Sequence, residues 1–329
     1  MTSSNHIAID IGGTWLRVQD GEALRKAPTP SLLNHPSADP QELYERLIDQ
    51  ILNAAPPDAI VSISLGAATD DVAGHVIGSG PLWGGWRPPR DLLDTLRRTR
   101  PDVTWSLFND VSCGLAHFSS TVDTKQISHI GYLTISSGIA LRIADLDTRT
   151  IVVDSSGMQG EVGHLPLSAV SLGEAAVPVP CECGGVNHIA SVSSGPGIQR
   201  IAEGLGMRDF TPDRLTRALD ARDPRALEIL ATATEPVAAL IRIIWTIQPS
   251  IGLLGIGGGV IEAISDHYDR ALRSHLLTGS GYSGLPRETW ETGLQVLSGE
   301  NSVSALRGAR LLAQGYFHIT KARTLTNAR

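Results

Sequence analysis

Two cysteines one residue apart, Cys181 and Cys183, are followed by His188 in the stretch CECGGVNHIA. Thiolate and imidazole are the donors that tetrahedral zinc prefers, so these side chains could supply three of four ligands. The spacing can also be incidental, and the fourth ligand must come from elsewhere. In GMQGEVGHL, Glu161 and His164 stand three apart among glycines. Glycine disfavours a regular helix, so both side chains are expected on a tight loop able to close on a ligand, although a Glu–His pair also makes an ordinary surface hydrogen bond. DIGGTWLR sets Asp10 beside Gly12, Gly13 and Thr14. The N–H groups of such a turn approach phosphate oxygens closely, and a neighbouring carboxylate holds magnesium directly or through water. A plain hairpin would read the same way. FND ends on Asn109 and Asp110, which would be either a proton-accepting carboxylate with its partner or the N-cap of a helix.

The elements that must position these groups alternate between strand and helix. HIAIDIGGTWLRVQDG reads as two strands around a glycine turn, DPQELYERLIDQILNAA as an amphipathic helix and DAIVSISLG as a buried strand. RDLLDTLRRTR follows as a helix, VTWSLFND as a strand ending on the polar pair, and VSCGLAHF as a helix in which Cys113 is a small core residue. A second cycle opens at HIGYLTISSGIALRIADL, again strand, small-residue turn and strand. Its likeness to the first suggests two related lobes with a cleft between them. A glycine- and proline-rich loop follows at 171–187, then helices to about 248, the strand SIGLLGIGGG, a helix from about 259 and a last helix near 303–316.

Composition narrows the chemistry. The chain has 329 residues, 42% of them hydrophobic, enough for a large core and more naturally two domains than one. A formal charge of −7 without basic runs gives no reason to expect nucleic acid or an anionic membrane surface. No apolar run is long enough to span a bilayer, and the first residues do not read as a signal peptide, so a cytoplasmic protein is expected. Three cysteines, two of them too close for an ordinary disulfide, suit metal binding in a reducing compartment.

Taken together and in order, the motifs resemble those of the ROK family of sugar kinases and repressors. DIGGT is similar to its first phosphate motif, the Asn109–Asp110 pair to its catalytic pair, GEVGH to its sugar loop, CECGGVNH to its zinc motif and LGIGGGV to its adenosine motif. The resemblance implies a two-lobed actin-like, ribonuclease-H-like ATPase fold of the hexokinase type with a central ligand cleft. It implies an N-terminal lobe of residues 1–113 joined by the C-terminal helix at about 303–329, and a C-terminal lobe of 114–302 carrying the zinc motif. It makes His164 the fourth ligand of a structural zinc with Cys181, Cys183 and His188. It makes Asp110 the general base for transfer from ATP, Asp10 the organiser of magnesium, and Asn109, Asp110, Glu161 and His164 the substrate contacts. The turns at Gly12, Gly13, Thr14 and at Ser136, Ser137, Gly138 would cradle phosphates, with Gly257, Gly258 and Gly259 under the nucleoside. A homodimer is compatible with all of this and not specified by it.

The departures from the family pattern bear on the substrate. His188 replaces a third cysteine, Ser136–Gly138 replace a glycine-threonine-glycine turn, Ala190 replaces a sugar-binding glutamate, and Leu82 in GPLWGGW replaces a sugar-binding asparagine. Loss of two polar ring contacts points away from glucose, because a site lacking partners for a hydroxyl no longer favours the sugar that carries it. The expected acceptor is a modified hexose or sugar-like carbocycle, such as a C7-cyclitol of the valiolone type or an aminosugar such as kanosamine. An ordinary glucokinase and a catalytically silent sugar sensor are the alternatives. A ROK repressor would carry a DNA-binding segment, and only nine residues precede Asp10.

Overall fold

The computed structural model describes residues 6–167, 178–278 and 286–322. The first part of the chain forms β1 (His6–Ile11), β2 (Trp15–Asp20), β3 (Ala23–Pro28), α1 (Pro40–Ala54), β4 (Ile60–Leu65), β5 (Ala68–Asp70), β6 (His75–Gly78), α2 (Gly80–Trp83), α3 (Leu92–Thr99), β7 (Thr104–Asn109) and α4 (Asp110–Thr121). There follow β8 (His129–Ile135), β9 (Ile139–Asp145), β10 (Thr150–Val153), α5 (Ala190–Ser193), α6 (Gly195–Gly204), α7 (Pro212–Asp220) and α8 (Pro224–Ile247). The chain continues through β11 (Ile251–Gly257), α9 (Gly259–Leu277), α10 (Arg287–Gly293), β12 (Leu294–Val296), α11 (Ala305–Ala313) and β13 (His318–Lys321). Of the loop expected at 171–187, residues 171–177 lie outside the described residues, as do 1–5 and 323–329.

Contacts divide the described chain into two compact units. The first holds residues up to Asp123, 142–159 and those from Ser304 on; the second holds 124–141 and 160–303. The division falls after α4, so residues 113 and 114 lie within one helix. In the first unit the sheet runs β3-β2-β1-β4-β7. Its centre is parallel, β1 with β4 and β4 with β7, while β2 and β3 fold back antiparallel. The near-continuous apolar run of β1 is buried on both faces, as a central parallel strand requires. α1 covers this sheet through Leu43, Tyr44, Leu47 and Ile51; Asp39 caps its Gln41 N–H at 2.8 Å and Pro40 opens the first turn.

A second sheet has the order β12-β11-β8-β9-β10-β13, and the division between the units passes through β9. Strands β10-β9-β8-β11-β12 repeat the order of β3-β2-β1-β4-β7. The two-cycle pattern of the sequence is thus a repeated topology.

The last helix falls within the expected 303–316 but does not run on toward 329, as far as the described residues go. α11 stops at Ala313, Gly315 turns with φ +79°, and β13 pairs parallel with β10. Packing of α11 on α4 requires glycine at 308, where a β-carbon would lie 1.8 Å from the Cys113 carbonyl oxygen. Gly308→Ala is therefore expected to force the helices apart and lower stability by about 1–3 kcal/mol, measured by urea unfolding. An unchanged midpoint would show that the pair tolerates the extra methyl.

Candidate functional site

In the first unit the candidate residues gather where β1, β4 and β7 end, the edge at which open parallel sheets bind ligands. Asp10, at the end of β1, is 8% exposed. Its Oδ2 accepts from Arg17 at 2.8 Å and its Oδ1 from Ser64 at 3.0 Å. Arg17 faces Asp10 across the β1–β2 ladder, so the hairpin itself brings the pair together. The carbonyls of the following turn are tied back by one segment. Thr29 donates to Gly12 O at 2.8 Å, Ser31 to Gly13 O at 2.5 Å and Asn34 to Thr14 O at 2.8 Å. With its carbonyls anchored this way, the turn is held in one conformation at the end of β1.

Asn109 and Asp110 lie at the junction of β7 and α4. Asn109 is 4% exposed, and its carboxamide works internally: Oδ1 caps Val111 N–H at 3.0 Å and Nδ2 donates to Ala67 O at 2.8 Å. The capping role is thus real. A methyl at Gly66 would lie 3.4 Å from Asp110 Oδ2 and 3.5 Å from the Gly12 α-carbon. The Asp110 carboxylate and the first glycine turn therefore flank the same glycine.

Burial raises the Asp10 carboxyl from its ordinary value of 3.8, against the opposing pull of Arg17 and Ser64. A carboxyl raised in the folded state favours folding fully below its unfolded pKa, and that contribution is lost as pH rises through the folded value. Asp10→Asn, studied without nucleotide or magnesium, is expected to lose this slope and to be no less stable than wild type at neutral pH. Thermal unfolding from pH 4 to 8 tests it, and a variant less stable by more than about 1 kcal/mol at pH 7 would contradict the sign.

In the second unit the turns after β8 and β11 come together. Ser136 N–H bonds Gly138 O at 2.9 Å, and a β-carbon on Gly259 would lie 3.3 Å from Ser136 Oγ. Gly258 adopts φ +108°, where a side chain would also strike Ile135 O at 2.6 Å. Only glycine lets the turn after β11 pack this closely on β8.

His164, Cys181, Cys183 and His188 also converge, their ligand atoms all within 4.8 Å of one another. Cys181 Sγ is 3.8 Å from His164 Nδ1, and Cys183 Sγ is 3.4 Å from His188 Nδ1. Ligands about 2.0–2.3 Å from a central ion lie roughly 3.3–3.8 Å apart at tetrahedral angles, so these two pairs have the spacing of zinc ligands while the four atoms as a set, within 4.8 Å of one another, are spread somewhat wider. Turn bonds Gly184 N–H to Cys181 O and Cys181 N–H to Gly185 O, both 2.9 Å, build the knuckle that carries the cysteines. Glu161 opens the short 3₁₀ turn Val162–His164, and its carbonyl accepts the His164 N–H at 3.1 Å. The loop expected from the glycines is therefore a single tight turn.

Leu82 lies in the core. It is fully buried in the core cluster of the first unit and lines no open surface. Like Trp83 beside it in α2, it is buried, and it offers no polar group at this position. Ala190, 6% exposed, opens α5 two residues after His188.

Residues 6–315 match the ROK family, and the chain belongs to it. It is 36% identical over 92% of its length to a 2-epi-5-epi-valiolone 7-kinase of Actinoplanes sp., covering 91% of that protein. It is 25% identical to a C(7)-cyclitol 7-kinase of Streptomyces hygroscopicus subsp. jinggangensis, covering 82% of this chain and 83% of that one. Its fold matches a ROK family glucokinase from Streptomyces griseus, solved in complex with glucose and AMPPNP, with a TM-score of 0.67 at 20% identity, covering 94% of this chain and 99% of that one. The fold is accordingly the two-lobed actin-like ATPase fold of the ROK sugar kinases. No described helix is long and apolar enough to cross a membrane.

Proposed function

We propose that the chain transfers the γ-phosphoryl group of ATP to the primary C7 hydroxyl of a C7-cyclitol of the valiolone type. The observation that carries this is the 36% identity to a 2-epi-5-epi-valiolone 7-kinase over 92% of the chain. Asp110 is the base: its carboxylate takes the hydroxyl proton as that oxygen bonds to the γ-phosphorus and the bridging oxygen leaves with ADP. Asn109 positions Asp110 through the cap and the Ala67 bond. The tied-back turn at Gly12, Gly13 and Thr14 and the turn at Ser136, Ser137 and Gly138 hold phosphate oxygens, while Gly257–Gly259 accommodate the nucleoside.

Magnesium, when bound with ATP, neutralises charge on the phosphates. Asp10 suits it through a water of hydration, since each carboxylate oxygen keeps a lone pair beyond its contact to Arg17 or Ser64. His164, Cys181, Cys183 and His188 would hold a structural zinc, whose charge would bind the two thiolates and two imidazoles together and so tie down the turn bearing Glu161. The Nδ1 of His164 faces the cysteines, so its Nε2 is the nitrogen available to a substrate hydroxyl.

A kinetic panel of C7-cyclitols, aminosugars and glucose tests the acceptor class. A kcat/KM for the valiolone-type cyclitol at least about 10²-fold above that for glucose is expected. Glucose used with a kcat/KM of about 10⁴ M⁻¹s⁻¹ or more would instead make the protein a glucokinase. Binding of a sugar without any nucleotide turnover would make it a sensor.

A further inference from the structure

A polar cluster that the functional motifs leave unused is buried beneath the first turn of α4. Asp71, just beyond β5, is 5% exposed, and Ser112 and Arg142 are 0% exposed. Asp71 Oδ1 accepts the Asn109 backbone N–H at 2.6 Å and Oδ2 accepts the Ser112 hydroxyl at 2.5 Å. Ser112 Oγ accepts from Arg142 Nε at 3.2 Å, and that nitrogen is 3.9 Å from Asp71 Oδ2. Arg142 Nη1 donates to the carbonyl of Gln159, two residues before Glu161 in the chain. The neighbouring Asp70 is balanced separately by Lys321 at 2.6 Å.

Nothing about starting a helix at Asp110 demands this arrangement, because Asn109 already caps α4. Stripping a carboxylate and a guanidinium of water is unfavourable, and apolar residues of similar size commonly do as well or better for stability. What the ion pair offers is directionality. The Asp71 carboxylate grips residue 109 by its backbone and residue 112 by its side chain, one on each side of Asp110.

We propose that Asp71, braced by Arg142 through Ser112, is a positioning residue that holds the first turn of α4 so that the Asp110 carboxylate meets the acceptor hydroxyl in a single orientation. This rests on the reading of Asp110 as the base. Asp71→Asn keeps the shape and an acceptor for Asn109 but removes the charge that pairs with Arg142 and orients Ser112. Displacement of a catalytic group by about 1 Å costs on the order of 10²-fold in rate, so kcat should fall by about that factor while KM for ATP stays within about 3-fold.

The deciding experiment is a double-mutant cycle with Asp110→Asn, accompanied by circular dichroism and thermal unfolding of each variant. If Asp71 acts through Asp110, the Asp71→Asn loss should shrink to less than about 3-fold once Asp110 is Asn. Equal fold losses in both backgrounds would reduce Asp71 to a general structural role and overturn the proposal. So would an Asp71→Asn enzyme with more than half of wild-type kcat. Should Asp71→Asn fail to fold, Ser112→Ala carries the same cycle, because it removes one hydroxyl and leaves the Asp71–Arg142 pair and the Asn109 bond in place. Its expected loss is about 10-fold with Asp110 and under about 2-fold without it, and equal losses overturn the proposal as before. Failure of the base reading would show separately, as near-wild-type turnover of Asp110→Asn alone, and would take this proposal with it.

Discussion

Asp110→Asn is expected to reduce kcat by about 10² to 10⁴-fold while leaving KM for ATP within a few-fold of wild type. The carboxamide fills the same volume but cannot take the proton of the attacking hydroxyl, so the loss belongs to the chemical step. Asn109 caps α4 with its own side chain, and Val111 N–H is satisfied whatever stands at 110, so the helix should start where it does now. The variant should therefore fold and bind nucleotide normally. A variant retaining more than about a tenth of wild-type turnover would remove Asp110 from the role of base.

The second large effect concerns the metal. Protein purified without added metal is expected to carry one zinc per chain by elemental analysis, and Cys181→Ser should carry much less. The cluster joins His164, in the turn that Glu161 opens, to His188, just ahead of α5. Without the ion, two thiol groups and two imidazoles would be left to hold a tight turn by weak contacts alone. Acceptor kcat/KM should then fall by about 10² or more, with a marked drop in unfolding temperature, while the magnesium–ATP site is affected less. Full activity in zinc-free protein would show that the turn does not need the ion.

The candidate residues could be picked out of the sequence because the proposed site is made of local parts. Asp10 with its glycine turn, Ser136–Gly138, Gly257–Gly259 and the Cys-x-Cys stretch each hold the residue types of their proposed role within a few residues, and strand-turn-strand periodicity placed the three turns at strand ends. The Asn109 side chain was readable both as a cap and as a functional group, and its geometry is that of the cap, with Asp110 the first residue of α4.

What escaped the sequence is long-range. Asp71, Ser112 and Arg142 come from a loop after β5, a helix and a strand, and each has an ordinary local explanation: a turn aspartate, a helical serine, a polar residue on an alternating strand. Only the fold brings them into one dry cluster. Thr29, Ser31 and Asn34 were missed for the same reason, since nothing in their own segment names the carbonyls they hold. Short strands such as β3, exposed along most of its length, and β13 leave no hydrophobic signal to read.

Phosphorylation of a C7-cyclitol at its primary hydroxyl is tested most directly by the product. Purified protein incubated with ATP, magnesium and 2-epi-5-epi-valiolone should yield ADP and an acceptor heavier by one phosphoryl group, with phosphorus–proton coupling to the C7 methylene in the nuclear magnetic resonance spectrum. An unchanged cyclitol, or phosphate on a ring hydroxyl instead of C7, would contradict the account.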